Sequence, residues 1–149
     1  MLRMTDEGDA NAALYALFTG FLSFCASTAL TPKALARFEM RLLELLGLLP
    51  SWSRCMECGS MIALVHTARF DLLQGGLICG DCRPTQSREA PLLTPILRAA
   101  LDALQRKVTL EGETELLWRE VLGLLDRRLC HVLGHETRSR RFLAEVIGF

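Results

Sequence analysis

Two C-x-x-C pairs, Cys55-Met56-Glu57-Cys58 and Cys79-Gly80-Asp81-Cys82, face each other across about twenty residues, and no other feature restricts the fold of this chain so strongly. Zinc takes soft ligands in a closed tetrahedron, and two residues between paired cysteines let one tight turn aim both sulfurs at one metal. Gly59 and Gly80 sit in these turns. Glycine permits the positive φ and the close backbone approach through which amides hydrogen-bond sulfur. One structural zinc ion held by Cys55, Cys58, Cys79 and Cys82 is therefore expected. Between the pairs, residues 61–66 and 69–72 read as short strands, and Gln74-Gly75-Gly76 reads as the turn returning the chain to Cys79. The element reads as a zinc ribbon spanning residues 53–83.

Cysteines at this spacing have three other uses. Disulfides fit a secreted chain, but no secretory signal precedes these residues. A thioredoxin-like redox pair belongs at a helix start in a βαβ unit and occurs once. Catalytic zinc needs an open coordination position, which four cysteines do not leave. Structural zinc fits best.

The rest of the chain reads as helices. Half of its 149 residues are hydrophobic, aromatics are only 7%, and leucine dominates, so a mainly α bundle with the ribbon inserted is expected. Seventeen basic and seventeen acidic residues cancel, which excludes a general attraction to polyanions and leaves only local nucleic-acid contacts. A reducing cytoplasm suits the metal-like cysteine pattern. Cys25 and Cys130, on hydrophobic helical patterns, read as small buried thiols.

In order, residues 1–9 read as a flexible acidic leader and residues 10–149 as the helical domain. From Ala10 to Pro32 there is no charged residue, a run long enough to span a bilayer. However, Leu14, Leu17, Phe18, Phe21, Leu22 and Cys25 recur on one helical face, and Ala13, Ala16, Gly20, Ser23 and Ser27 form a small-residue face. That pattern fits a helix sandwiched between others. Basic residues crowd neither flank, so no membrane contact is expected. Thr31 caps a second helix, Pro32 opens it and Gly47 stops it, with Leu35, Phe38, Leu42, Leu45 and Leu46 buried and Arg37, Arg41 and Glu44 near water. A linker follows Cys82. Thr94 and Pro95 open a third helix carrying Ile96, Leu97, Ala100, Leu101 and Leu104. Gly112 separates it from a fourth over 113–133, with Leu117, Val121, Leu124, Leu125, Leu129 and Val132 towards the core, and Gly134 ends that helix. A last short helix is expected over 139–147.

No catalytic motif emerges, and the chain is not expected to be an enzyme. His131 and His135 lie four apart, but Val132 stands where a zinc protease needs glutamate. Phosphate-binding glycine loops and nucleophile elbows are absent from the sequence. Arg127, Arg128, Arg138, Arg140 and Arg141 fall within fifteen residues. They read either as solvated helix ends or as a site for nucleic-acid phosphates or an acidic peptide, because planar guanidiniums grip both with paired hydrogen bonds.

The order of these features resembles a known family. The run Ala36-Arg37-Phe38-Glu39-Met40-Arg41-Leu42-Leu43-Glu44-Leu45-Leu46-Gly47, the C-x-x-C-Gly, Phe70, Gly75-Gly76-x-x-Cys79-x-x-Cys82, Leu93-Thr94-Pro95, Leu133-Gly134 and Ser139-Arg140-Arg141-Phe142-Leu143 together are similar to the C-terminal part of the RecO recombination mediators, over about residues 10–147. The resemblance implies a non-enzymatic DNA-repair adaptor that helps load the RecA recombinase onto strands coated by single-strand binding protein (SSB), and that anneals complementary strands. It also implies the partner RecR and an N-terminal OB-fold. No residues before Ala10 suffice for that barrel, so an excised fragment or a shortened member is expected. Much of the strand binding and the RecR contact would then be missing, since such barrels carry basic grooves and stacking aromatics. The helical domain is expected to take the acidic C-terminal tail of SSB on Arg37, Phe38, Arg41 and Leu42, an apolar slot beside guanidiniums. A second class of function, a stand-alone zinc-ribbon nucleic-acid-binding or transcription-associated protein, would use the arginines after residue 127.

Overall fold

The computed structural model describes residues 7–82 and 90–134. Three helices start on the same device. Thr31, Thr94 and Thr114 each sit in extended conformation and accept, through Oγ1, a hydrogen bond from the amide three residues on. Each cap satisfies one of the amides that a helix start leaves free. Pro32 and Pro95 add a preset φ at the first helical position. The helices are α1 (Glu7–Ser27), α2 (Pro32–Leu45), α3 (Pro95–Arg106) and α4 (Glu115–Leu133). Gly134 closes α4 in the left-handed region, as expected of a helix-stopping glycine. The helix begins at Glu7, inside the stretch read as a leader, and the helix expected over 139–147 lies outside the described residues.

A three-stranded antiparallel sheet lies between α2 and α3 in sequence: β1 (Ala68–Asp71), β2 (Gly76–Ile78) and β3 (Leu92–Leu93), in the order β2-β1-β3. Phe70 pairs with Leu77 across β1 and β2, and Arg69 with Leu92 across β1 and β3. Residues 61–66 are not a strand. Met61 makes one isolated bridge to Arg54, and then the chain turns. The strand β3 was not expected, because two leucines before Thr-Pro carry no periodicity.

One apolar core runs through helices and sheet without a break: Leu35, Met40 and Leu43 of α2, Leu97 and Leu101 of α3, and Val121, Leu122 and Leu125 of α4 join Trp52, Phe70, Leu72 and Leu77. Trp52 stacks on Phe70 at 5.3 Å. The buried stripe of α2 is rotated from expectation. Leu46 is exposed and Phe38, Leu42 and Leu45 are half-buried, while Ala36, Met40 and Leu43 face the core. The reason is that α2 packs on two sides: its core side meets α4, and Phe38 turns the other way to stack on Phe21 at 4.3 Å and edge-on to Phe18 at 5.3 Å. Helix α1 is not sandwiched by the described residues. It leans on α2, and Tyr15, Phe18, Leu22 and Cys25 are exposed. Ile96 is likewise exposed and Cys130 only half-buried. No helix among the described residues is long and apolar enough to cross a membrane.

Candidate functional site

The sulfurs of Cys55, Cys58, Cys79 and Cys82 all lie within 4.8 Å of one another. A tetrahedral zinc with bonds of about 2.3 Å needs sulfur–sulfur edges of about 3.8 Å. The Cys58–Cys79 separation is 3.8 Å. The turn after Cys55 closes through the Gly59 amide, which donates to the Cys55 carbonyl at 2.9 Å, with Gly59 at φ 73. The Cys79 amide donates to Cys55 Sγ at 3.4 Å, the amide-to-sulfur support that a thiolate centre requires.

The thiols are unequal. The Ser60 hydroxyl, then its amide, holds Cys58 down to about 6. Contact with the sulfurs of Cys79 and then Cys58 pushes Cys82 up to about 12. At Cys55 burial opposes ionisation, yet hydrogen bonds from the backbone of Cys58, Cys79 and Glu57 outweigh it and lower its pKa. Several thiolates crowded together repel one another, and a divalent cation at their centre relieves that repulsion. The four side chains fit a metal ion in number, distance and chemistry.

Two buried arginines fasten this module to the helices, and neither was expected in that role. Arg98 of α3 has no exposed surface. Its guanidinium donates to the carbonyls of Ala63 at 2.7 Å, His66 at 2.5 Å, Ile62 at 2.8 Å and Trp52 at 3.2 Å. This accounts for the irregular course of residues 62–66: their carbonyls point at one cation instead of a neighbouring strand. Arg128 of α4 donates to the Leu72 and Leu73 carbonyls at 2.9 and 2.8 Å. It lies so close to Gly75 that a β-carbon there would stand 2.4 Å from its Nη2. Gly75 is also at φ 77, so glycine is required twice over. Asp71 Oδ1 completes the turn by accepting from the Leu73 and Gln74 amides at 2.9 Å.

Arg128 is thereby withdrawn from the expected phosphate-binding cluster. Its charge is spent on carbonyl oxygens inside the protein. Arg127 is exposed, with Nε donating to the Gly123 carbonyl at 3.2 Å, while Arg138, Arg140 and Arg141 lie outside the described residues.

The residues expected to bind a partner are also redistributed. Arg37 and Arg41 are exposed on α2 as expected. Arg37 and Phe38, with Leu17, Phe21 and Phe24, line an apolar groove of about 420 Å³ against α1. Arg37, together with Arg41, also lines a cavity of about 460 Å³ between α2 and the end of α3. Its apolar lining is Met40, Leu49, Leu104, Val108 and Trp118, and Lys33 and Lys107 bring further positive charge. Leu42 is half-buried and lines neither. Lys33 pairs with Glu113, contacting both carboxylate oxygens, and its ammonium lies 5.0 Å from the Trp118 ring. That hydrogen bond holds Glu113 below the usual carboxylate range. Arg41 pairs with Glu44.

The chain is thus a helical domain with a Cys₄ module packed into its core and a cationic cavity formed by α2 and the end of α3. Comparison with known proteins gives it a family. The chain matches the family described as "Recombination protein O C terminal" over residues 1–141, and it belongs to that family. Among its relatives are proteins named "DNA repair protein RecO". That of Anaeromyxobacter sp. (strain Fw109-5) is 32% identical over 143 residues, covering 94% of this chain and 56% of the relative. That of Anaeromyxobacter dehalogenans (strain 2CP-C) is 34% identical over 137 residues, covering 89% and 53%. That of Myxococcus xanthus (strain DK1622) is 31% identical over 143 residues, covering 96% and 57%. The chain thus spans about half the length of these relatives. No solved structure matches it significantly.

Proposed function

We propose that this chain is a non-enzymatic DNA-repair adaptor of RecO type, whose helical domain docks the acidic C-terminal tail of SSB in the cavity between α2 and α3. The observation that carries this is the convergence of Lys33, Arg37, Arg41 and Lys107 around an apolar lining of Met40, Leu49, Leu104, Val108 and Trp118. A short acidic peptide ending in a hydrophobic residue with a free carboxylate is complementary to it. The terminal carboxylate meets a guanidinium, the last side chain leaves water against Leu104, Val108 and Trp118, and upstream acidic residues lie along the cationic rim. The groove against α1 is less suited, since Arg37 is its only cation among the described residues.

The metal in this proposal is a single zinc ion held by Cys55, Cys58, Cys79 and Cys82, without an open position and therefore structural. In the same proposal the protein works in the cytoplasm, and loading of RecA, strand annealing and contact with RecR are the activities it would assist. Contact with strand phosphates would rest on Arg127 with Arg138, Arg140 and Arg141. Strand binding that falls steeply with salt, and is lost when those arginines are changed, would support that contact, and salt-independent binding would oppose it.

The docking test is a titration with a labelled SSB tail peptide. Micromolar binding, about −8 kcal/mol, is expected. It should weaken in salt and be lost on Arg37→Ala, on Arg41→Ala, or when the peptide's terminal carboxylate is amidated. Absence of binding up to millimolar peptide would exclude the proposal.

A further inference from the structure

We infer that Lys107 is a ligand-contacting residue of the cationic cavity: it is the cation that the C-terminal cap of α3 supplies to meet an acidic side chain of the bound peptide. This rests on the docking function proposed above and adds to it a residue that no sequence pattern singles out.

The first observation is backbone geometry. Lys107 caps α3 at φ 59 and ψ 36, and it is the one non-glycine with positive φ among the described residues. The other described positions of this kind are Gly47, Gly59, Gly75, Gly112 and Gly134. A left-handed residue with a β-carbon crowds the following carbonyl, and for this reason helix ends of this shape usually carry glycine. The capping itself is done by the Lys107 amide, which donates to the carbonyls of Ala103 and Leu104. Glycine would do the same without crowding. The main chain therefore gives no reason for lysine, and strain retained at an exposed site points to a use of the side chain.

The second observation is charge. Of the four cations on the cavity, Lys33 is paired with Glu113 and Arg41 with Glu44. Arg37 and Lys107 have no carboxylate at ion-pair distance among the described residues, and they reach the same cavity from separate elements, α2 and the C-terminal cap of α3. The chain contains only two lysines, Lys33 and Lys107, and both line this cavity. A lysine near a helix C-terminus also eases the helix dipole. Arg106, the residue before it, already places a cation in that last turn. A ligand role and a purely structural role predict opposite behaviour when the lysine is removed.

The experiment compares the full 149-residue chain with Lys107→Gly and Lys107→Arg, by anisotropy of a labelled acidic peptide with a free C-terminal carboxylate and by thermal unfolding. Lys107→Gly is expected to raise the unfolding midpoint or leave it unchanged, because the left-handed crowding is gone, while weakening peptide binding about three- to tenfold. The salt dependence of binding should become shallower, and Lys107→Arg should restore affinity. Unchanged binding in Lys107→Gly overturns the assignment, as does a parallel loss of stability and binding that arginine does not restore. A wild-type chain that binds the peptide while Lys107→Gly binds equally well leaves the docking function standing and removes only Lys107. A wild-type chain that binds no peptide overturns both.

Discussion

Arg98 has no solvent contact, and among the described residues its charge is shared among carbonyl dipoles and is met at hydrogen-bonding distance by no carboxylate. Burial pushes its pKa down, while Asp102, one turn away, works to hold it up. Losing the guanidinium leaves the buried carbonyls of Trp52 and Ile62 without their donor, and unsatisfied buried acceptors are costly; the partly buried bonds to Ala63 and His66 are lost as well. Arg98→Met should lower stability by about 3 kcal/mol or more, read as a shift in urea midpoint. Arg98→Lys should recover little, because a single ammonium cannot reproduce the fork. An unchanged midpoint would remove Arg98 from its role as a clamp. Glu113 offers a pH test. Its pKa is lowered in the folded state by the hydrogen bond from Lys33, so the pair contributes stability that is present above the unfolded carboxylate value of 4.5 and is lost as pH falls through the lower folded value. Wild type should therefore be more stable than Glu113→Gln near neutrality, and the difference should fade on acidification; a gap independent of pH would contradict the assignment. Neither of the two buried arginines, Arg98 and Arg128, was legible beforehand. Arg98 is a lone arginine among Leu97, Ala100 and Leu101, which pattern alone treats as a solvated edge, and Arg128 was misplaced in a surface cluster for the same reason. Charge counts along a chain do not register which cations have carbonyls waiting for them.

At the scale of elements, local chemistry was readable wherever a helix begins or ends. Thr31-Pro32, Thr94-Pro95, Gly47 and Gly134 fall where capping rules put them, and the Cys₄ grouping follows from spacing. What failed depended on partners distant in sequence. The segment 61–66 is apolar enough for a strand, yet its carbonyls turn to Arg98; β3 exists only because β1 offers it an edge; and the face of α2 carrying Phe38 is set by α1. The module also shares its core with the helices through Trp52, Phe70 and Leu77. This changes the expected effect of metal removal. Zinc binding contributes on the order of 10 kcal/mol in small metal-dependent folds, where nothing else holds the chain. Here Arg98 and Arg128 remain. Chelation, or Cys58→Ser, should raise hydrogen exchange at amides 55–60 and 79–82 while the strands at 68–71 and the helix at 95–106 stay protected. Uniform loss of protection over 51–82 would show that the metal alone holds the module.

For the molecule as a whole, the helices do two things at once: α3 and α4 grip the Cys₄ module through buried arginines, while α2 and the end of α3 enclose a cationic cavity. The cavity's composition was only half legible. Arg37 and Arg41 were expected, but the apolar partner was placed on Phe38 and Leu42, and the walls supplied by Leu49, Leu104, Val108 and Trp118 come from three other parts of the chain. Under the proposed docking Glu44 would bear on affinity as well, since its pairing with Arg41 would compete with an incoming carboxylate. Glu44→Gln should tighten acidic-peptide binding about threefold, and weaker binding would refute that competition. The most direct test of the central claim uses the chain's two tryptophans. Trp118 lines the cavity, and Trp52 is buried in the module against Phe70. In a nitrogen–proton correlation spectrum each gives one indole signal. Adding the acidic tail peptide should move the Trp118 signal in a saturable, salt-sensitive way and leave Trp52 in place. Movement of Trp52 alone, or saturation of binding with both signals unmoved, would contradict the account.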